Sequence, residues 1–263
     1  MVDRITPVTT AEVTTEIAET FGVEDQWPVA AEPFTAWFLE DEFTSGRPPL
    51  ENAGVNLVPD VRPYELMKLR LLNAGHQGIA YFGYLAGYRL VHEACQDELL
   101  SGFLLDYMNL EATPTLDPVP GVDLDQYKKT LIERFSNPPD PRHDCTSVCR
   151  VVRSNSQVAV ARHPEPTRHR WSINLSTAIV ASWARYAEGT DENGDPITVV
   201  DQLSDTLVPL AQKQSSDPLA FIGYRQVFGD LVDDRRFVAS FRKTLDSLHS
   251  VGARRTLEEV RGL

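Results

Sequence analysis

The stretch PYELMKLRLLNAGHQGIAY, residues 63–81, decides the fold of this chain and carries its most informative polar side chains. Apart from those side chains, it consists largely of Leu, Ile, Ala and aromatic residues. Pro63 suits the first turn of a helix, because its missing backbone N–H would have no partner there. The stretch therefore predicts one long helix that begins near Pro63.

Polar side chains share one face of this predicted helix, which is about 140° wide at about 100° per residue. They are Glu65, Lys68, Asn73 and His76. A lysine held against apolar neighbours loses hydration, so its pKa falls and it can act as a base near neutral pH. An asparagine beside it can donate a hydrogen bond to a developing alkoxide or carbonyl oxygen. A surface helix with an ordinary polar edge has the same spacing, so the spacing alone leaves both interpretations open.

The composition indicates a globular, acidic chain. With 263 residues and 42% hydrophobic content it can bury a sizeable core. The net charge of −13 would repel nucleic acid and anionic membrane surfaces, so we expect neither as a partner. No apolar run is long enough to span a bilayer. Asp3, Arg4, Glu12 and Glu16 interrupt any amino-terminal signal peptide.

The cysteines indicate a reducing compartment and no metal. Cys95, Cys145 and Cys149 do not form a disulfide framework, and the cytoplasm is the simplest location. His143 lies near two of them, but this group lacks a convincing fourth ligand. We therefore expect no metal site.

Helical patterns predominate along the chain. Helices are predicted at 11–20, 92–108, 123–135, 172–187, 203–214, 237–249 and 253–260, with Gly22 ending the first. Gly83 and Gly87 allow a close helix crossing or a break. The best strand signals lie at 29–32, 35–40 and 53–58. A single, mainly α-helical domain over residues 1–263, with a small β-sheet insertion, is the predicted architecture.

The Lys-x4-Asn-x2-His spacing of residues 68–76 resembles the catalytic signature of the polyol-specific long-chain dehydrogenases, the mannitol 2-dehydrogenase family. The resemblance extends over most of the chain. It includes MVDRITPVTT from Met1, EPFTAWFLEDEFTSGRP from Glu32, PTLDPVPGVDLDQY from Pro114, LIERFSNP from Leu131, ASWARYAEG from Ala181 and VFGDL from Val227.

The resemblance implies a metal-independent, NAD-dependent oxidoreductase that interconverts an open-chain polyol such as mannitol and a ketose such as fructose. Lys68 would be the general base, and Asn73 would supply one arm of an oxyanion hole. His76 would hydrogen-bond a substrate hydroxyl group. Glu65 would relay the proton towards solvent, although an ion pair with Lys68 on the helix would have the same spacing.

Two further residues match substrate-binding positions of the family. Asp3 matches an acidic residue beside the substrate, against the alternative of a capping or surface carboxylate. Arg150 is the weaker match, to an arginine of the substrate site. It falls in residues 140–171, which do not resemble the family. A compensated frameshift and a divergent surface loop with a basic patch are both open explanations of that segment, which also lacks clear helix or strand periodicity.

The family carries a Rossmann domain before the segment that resembles residues 1–10, whereas no Gly-x-Gly-x-x-Gly follows a strand here. We therefore expect the multi-helix, substrate-binding carboxyl-terminal domain without its amino-terminal Rossmann domain. NAD would be bound mainly by that other domain, and the cofactor-binding residues stay unassigned. Because hydride transfer requires a nicotinamide about 3–3.5 Å from the substrate carbon, we expect this chain alone to be inactive.

Other functions fit the same residues. A hexuronate (fructuronate) reductase of the same family would need a cationic contact for the substrate carboxylate. An inactive remnant or a helical interaction module is the alternative from a different class. In a third arrangement, a separate polypeptide supplies the Rossmann half, and this chain is a subunit.

Overall fold

A computed structural model describes residues 1–6, 9–34, 36–137 and 172–263. The chain divides into two compact units. The described residues of the first unit come from Met1–Lys68 and Leu116–Val122, and those of the second from Leu69–Thr115, Asp123–Asn137 and 172–263. The whole of the atypical segment 140–171, and Arg150 with it, lies outside the described residues.

The first unit contains a three-stranded sheet in the order β1 (Val2–Asp3), β2 (Ala36–Glu40) and β3 (Val55–Val58). Strand β1 is antiparallel to β2, and β2 is parallel to β3. The predicted strands at 35–40 and 53–58 are therefore confirmed.

The predicted strand at 29–32 is wrong, and β1 takes its place in the sheet. Pro28 and Pro33 flank that segment, and proline cannot donate to a strand ladder. Within the segment, Glu32 N–H donates to the Ile5 carbonyl at 3.2 Å, which is a single contact rather than a ladder.

The first unit also contains helices α1 (Ala11–Phe21) and α2 (Arg62–Met67). Gly22 ends α1 in the left-handed conformation, with φ of 65°, and its N–H donates to the Ala18 carbonyl at 3.0 Å. The prediction of a helix at 11–20 that Gly22 ends is thus confirmed. Val13 is the only residue of α1 that is buried.

The second unit is helical in its described residues. Helix α2 runs directly into a π-helical segment, Lys68–Asn73, which leads into α3 (Ala74–Leu85). The remaining elements are α4 (Val91–Gln96), α5 (Glu98–Tyr107), a second π-helical segment (Met108–Ala112), α6 (Leu124–Ser136), α7 (Asn174–Ala187), α8 (Ser204–Gln212), α9 (Arg225–Phe228) and α10 (Arg235–Arg261).

A break at Gly252, with φ of 80° and ψ of 175°, divides α10 into the two helices that the sequence predicts. Glycine suits this position because L side chains rarely adopt a positive φ. Directly after the break, the Glu192 carboxylate accepts a hydrogen bond from Ala253 N–H.

Helix α7 forms the centre of the second unit. Every residue from Thr177 to Ala187 is buried, and the helix packs against α3 and α10. The Trp183 ring lies 5.3 Å from that of Phe221 and 5.5 Å from that of Phe228. Aromatic burial of this kind contributes several kcal/mol and fixes the helix as a rigid support.

Helices α3 and α4 cross closely, as the glycines predict. A Cβ atom on Gly83 would lie 2.9 Å from that of Ala94, so a larger residue would push the helices apart. Among the described helices, none combines the length and the low charge needed to cross a bilayer.

Candidate functional site

The segment that carries the candidate base and amide is a π-helix and not the α-helix that the apolar spacing predicts. Lys68 and Asn73 are its first and last residues. In a π-helix the backbone hydrogen bonds run from residue i to i+5, which is the separation of these two residues. The π-helical turn therefore gives Lys68 and Asn73 a narrower angular separation than the α-helical spacing predicts.

Lys68 is the last residue of the first unit, and its side chain is half-buried. Its backbone N–H donates to the carbonyls of Tyr64 and Glu65. The Tyr64 ring is stacked on Phe38 with 4.0 Å between ring centroids, and its hydroxyl group donates to the Pro120 carbonyl at 2.9 Å. The backbone turn that leads to Lys68 is therefore firmly anchored. Glu65, one turn earlier, is exposed to solvent.

Asp3 lies on β1, opposite Ala36 of β2, and only 1% of its surface is exposed. Among the described residues of the first unit it is the one charged side chain that is buried. Burial of a carboxylate is costly unless it has polar partners. Asp3 is therefore not the surface carboxylate of the alternative interpretation, and its role at a substrate stays a prediction.

His76 lies on α3 in the second unit, where its ring is stacked on Phe135 with 4.8 Å between centroids. Although His76 keeps some exposed surface, its ring lies deep among protein atoms. Burial, with a smaller contribution from the positive charge of Arg134, lowers the pKa of His76 to about 4. The imidazole is therefore neutral at pH 7 and offers one donor and one acceptor, as a partner for a hydroxyl group should.

Asn73, which is half-buried, precedes His76 by three residues in the same unit. Side chains three residues apart on a helix are neighbours. The helical spacing thus puts an amide and a neutral imidazole at neighbouring positions on one helix face of the second unit. Glu65, Lys68 and Asp3 lie in the first unit, and Arg150 lies outside the described residues.

The second π-helical segment is joined to the first within the second unit. The Tyr107 hydroxyl group donates to the Arg70 carbonyl at 3.0 Å, and Arg70 Nη1 donates to Thr115 Oγ1 at 2.9 Å. These contacts join the first π-helical segment to residues that flank the second one, since Tyr107 directly precedes it and Thr115 follows it. Because π-helical turns occur frequently at functional sites, two of them in one part of the unit indicate a candidate site there. The apolar spacing could not reveal it, since both segments read as ordinary helix.

Glu111 is a buried carboxylate that the sequence-based assignment missed. Its two oxygens accept hydrogen bonds from Leu175 N–H at 2.9 Å, Ser176 N–H at 2.7 Å and the Ser176 hydroxyl group at 2.6 Å. These donors lie at the amino-terminal end of α7, where a negative charge is favoured by the helix dipole. Glu111 therefore attaches the second π-helical segment to the central helix.

Lys128 is a buried lysine, unlike the half-buried Lys68, and its ammonium group has partners. Its Nζ donates to Asn109 Oδ1 at 2.6 Å and forms an ion pair with Asp125 at 2.8 Å. A paired cation of this kind serves to hold α6 against the second π-helical segment. It is a poorer candidate for a catalytic base than Lys68.

The described residues do not supply a cradle for a dinucleotide. Such cradles combine a strand, a glycine-rich turn and a following helix, whose amino terminus holds the pyrophosphate. The parallel strands β2 and β3 are instead joined through a short 3-10 turn, Leu50–Ala53, and the chain has no Gly-x-Gly-x-x-Gly sequence. In the described ranges, no group of three or more His, Cys, Asp or Glu residues is arranged to hold a metal ion.

Comparison with known proteins defines the class. Residues 60–249 match the family described as "Mannitol dehydrogenase C-terminal domain". A mannitol dehydrogenase of Saccharomyces cerevisiae is 38% identical over 99% of this chain and 52% of its own length. A mannitol 2-dehydrogenase of Phaeosphaeria nodorum is 39% identical over 98% of this chain and 46% of its own length.

Solved structures show the same fold. The mannitol 2-dehydrogenase of Pseudomonas fluorescens, in a ternary complex with NAD and D-mannitol, superposes with a TM-score of 0.85 at 36% identity, over 100% of this chain and 54% of that one. A substrate-free D-sorbitol dehydrogenase gives 0.78 at 31% identity, over 98% of this chain and 53% of that one. The mainly helical class with a small sheet is thereby confirmed.

The chain therefore belongs to the mannitol dehydrogenase family. It spans about half the length of the curated relatives that it matches.

Proposed function

We propose that this chain is the catalytic, substrate-binding half of an NAD-dependent oxidoreductase that interconverts an open-chain, mannitol-like polyol and a fructose-like ketose. The observation that carries the proposal is the helix on which Lys68, Asn73 and His76 follow one another through a π-helical turn. Membership of the family and the NAD and D-mannitol complex of the Pseudomonas relative support it.

Lys68 acts as the general base that accepts the proton of the substrate hydroxyl group. Its half-buried side chain follows an anchored helical turn, which limits the positions that Nζ can reach. Glu65, exposed one turn earlier, relays the proton to solvent. A proton relay needs one group at the reacting centre and one in contact with water, and these two residues differ in that way.

The remaining side chains orient the substrate. Asn73 donates a hydrogen bond to the substrate oxygen as charge develops on it. His76, neutral at pH 7, holds a neighbouring hydroxyl group. Asp3 accepts from another substrate hydroxyl group, and Arg150 is the further substrate contact expected from the sequence.

NAD is held by a nucleotide-binding half, either in the same polypeptide or as a separate chain. The described residues lack a dinucleotide cradle, and the relatives are about twice as long. The residues of this chain bind the polyol and move the hydroxyl proton. Without the other half, the chain should show no polyol-dependent reduction of NAD.

The test is a fused protein in which the nucleotide-binding half of the Pseudomonas enzyme precedes Met1. We expect mannitol-dependent formation of NADH, followed by its absorbance, and fructose reduction in the reverse direction. A fused protein that folds and binds NAD, yet oxidises no polyol, would overturn the proposal. The fold is checked by circular dichroism and NAD binding by fluorescence.

The D-sorbitol dehydrogenase neighbour favours a second polyol as substrate. Sorbitol and mannitol should therefore be compared in the fused protein, together with fructuronate for the hexuronate alternative. A thermal-stability measurement on the chain alone distinguishes a binding domain from an inactive remnant. A binding domain should gain thermal stability on addition of mannitol or fructose, whereas a remnant or interaction module should not respond.

The cytoplasm is the location that we propose. Cys95, the cysteine that lies within the described residues, is a buried free thiol. Free thiols persist in a reducing compartment.

A further inference from the structure

The rings of Phe135 and His76 form a flat stack between α6 and α3. Their centroids lie 4.8 Å apart, and their planes are inclined by only 14°. Phe135 is 3% exposed, so close packing limits the movement of its ring. Among the described residues, none forms a hydrogen bond with the imidazole. Packing therefore sets the plane of the His76 ring, with Phe135 on one face of it.

The plane of a histidine ring matters because both of its nitrogen atoms lie in it. A hydroxyl group pairs with imidazole at the ring edge, close to the ring plane. The χ2 torsion that turns the ring is broad when nothing constrains it, because it joins a tetrahedral carbon to a trigonal one. The stack on Phe135 narrows this rotation. A substrate hydroxyl group can therefore pair with His76 from a restricted set of directions.

The turn of α6 that carries Phe135 is fastened to α4. Gln96 Nε2 donates to the Ser136 carbonyl at 3.0 Å, and the Ser136 hydroxyl group donates to the Cys95 carbonyl at 3.5 Å. The Cys95 thiol, which is buried, donates to the Ile132 carbonyl at 3.8 Å. These contacts hold the backbone on both sides of Phe135.

Helix α4 is in turn packed against α3, the helix that carries His76. The two helices cross at Gly83 and Ala94, where a Cβ atom on Gly83 would lie 2.9 Å from that of Ala94. A closed path of contacts therefore runs from His76 along α3 to α4, across to α6, and back through Phe135 to the imidazole. Support of this kind fixes a functional side chain, because packing locks the conformation of each neighbour.

We infer that Phe135 is a positioning residue for the polyol: it fixes the plane of the His76 imidazole and thereby determines which configuration of substrate hydroxyl group the site accepts. The inference rests on the proposed function, in which His76 pairs with a hydroxyl group, and it adds a determinant of stereochemical preference. Phe135 acts through His76 and needs no contact with the substrate. Mannitol and sorbitol carry the same groups and differ in configuration at one carbon, so the directions of hydrogen bonds must distinguish them.

The first experiment compares mannitol and sorbitol as substrates of the fused dehydrogenase. Phe135→Leu keeps an apolar side chain but removes the flat ring. KM for the preferred polyol should rise about three- to tenfold, as for one poorly oriented hydrogen bond, and the ratio of the two kcat/KM values should move towards one. We expect kcat to change by less than about twofold, because the contact is made in the ground state as well. Phe135→Tyr retains the ring and should keep the original KM and preference.

Phe237→Leu is the matched control. Phe237 is 2% exposed, and its ring is stacked on that of Phe241 rather than on a histidine. Phe135→Leu and Phe237→Leu should both lower the thermal stability, because each removes buried aromatic packing. Only Phe135→Leu should change KM and the preference between the two polyols. Equal kinetic effects of the two variants would limit Phe135 to a structural role and overturn the inference.

A second measurement is made without turnover on the 263-residue chain, labelled with carbon-13 at histidine. NMR relaxation gives the order parameter of the His76 ring, which reports how tightly its orientation is held. Phe135→Leu should lower this order parameter, whereas Phe135→Tyr and Phe237→Leu should leave it unchanged. An unchanged value in Phe135→Leu would overturn the inference, whatever the activity of the fused enzyme. Absence of turnover in the fused enzyme without substitutions would instead contradict the proposed function.

Discussion

At the scale of single residues, His76 combines packing and chemistry. Its ring is stacked on Phe135, and that environment keeps the imidazole neutral at pH 7. The same burial destabilises the folded chain in acid, because protonation of His76 would place a positive charge among protein atoms near Arg134.

This environment predicts a pH dependence of stability. The folded pKa of His76 is about 4, below the value of 6.5 for an exposed histidine, so the unfolded chain binds the proton more readily between these values. Stability should therefore fall as the pH drops from about 6.5 towards 4, by up to roughly 3 kcal/mol. Urea unfolding at pH 7.5 and 5 measures this loss. His76→Phe should reduce it, while His92→Gln should keep it; an undiminished loss in His76→Phe would contradict the prediction.

A second prediction for a single residue concerns the role of Lys68 as general base. In the fused dehydrogenase, Lys68→Ala should lower kcat by about 10²–10⁴-fold, the usual contribution of general acid–base catalysis. The control is Lys129→Ala, on the exposed side of α6, which should leave kcat unchanged. Steady-state kinetics and circular dichroism separate catalysis from folding. Equal rates for the two variants would remove Lys68 from the mechanism.

At the scale of elements, Tyr107 directly precedes the second π-helical segment and donates a hydrogen bond to the first, which carries Lys68 and Asn73. Tyr107→Phe removes one hydrogen bond to the Arg70 carbonyl and should cost about 1 kcal/mol of unfolding free energy. We expect a larger effect on kcat than on KM in the fused enzyme, since Lys68 and Asn73 end the connected segment. Tyr224→Phe, outside both segments, is the control. Loss of stability with unchanged kcat would limit Tyr107 to a structural role.

Glu111 provides a stability prediction for the central helix. Glu111→Gln removes the charge that accepts hydrogen bonds from Leu175 and Ser176, so the unfolding free energy should fall by about 1–3 kcal/mol. Guanidinium unfolding measures the change. Glu98→Gln, an exposed residue in the first turn of α5, should change it by less than about 0.5 kcal/mol. Similar losses in the two variants would contradict this role of Glu111.

Secondary-structure elements could be predicted from the sequence where residues close together in the chain carry the pattern. Helix α6 follows from Tyr127, Leu131 and Phe135, which recur on one stripe and are all buried. The sheet was only partly predictable, because the pairing of β1 with β2 joins residues far apart in the chain. The contact of Glu111 with α7 spans 64 residues and has no sequence signal. The π-helical turn is hidden for another reason, since one extra residue per turn leaves the composition unchanged.

At the scale of the whole molecule, the two units differ in how much they bury. The first unit buries few large side chains, whereas α7 of the second unit is enclosed almost completely. Local unfolding is easiest where few apolar contacts hold the backbone. Amide hydrogens of α1 should therefore exchange at least about a hundredfold faster than those of α7.

Hydrogen exchange followed by mass spectrometry tests this difference in the isolated chain. Equal protection of the two helices in the isolated chain would contradict the prediction.

The π-helical turn between Lys68 and Asn73 has a consequence for insertions and deletions. Removal of one residue, such as Leu71, would let the segment close as an α-helix with ordinary hydrogen bonds. Because a π-helical turn holds one residue more than an α-helical turn, Asn73 would then follow Lys68 by four steps of about 100° and would still lie within about 40° of it around the helix axis. A deletion within α3, between Asn73 and His76, would instead rotate every later residue by about 100° and shift it by about 1.5 Å. The π-helical turn is therefore the part of this helix that can lose a residue with little change in the directions of the side chains on either side.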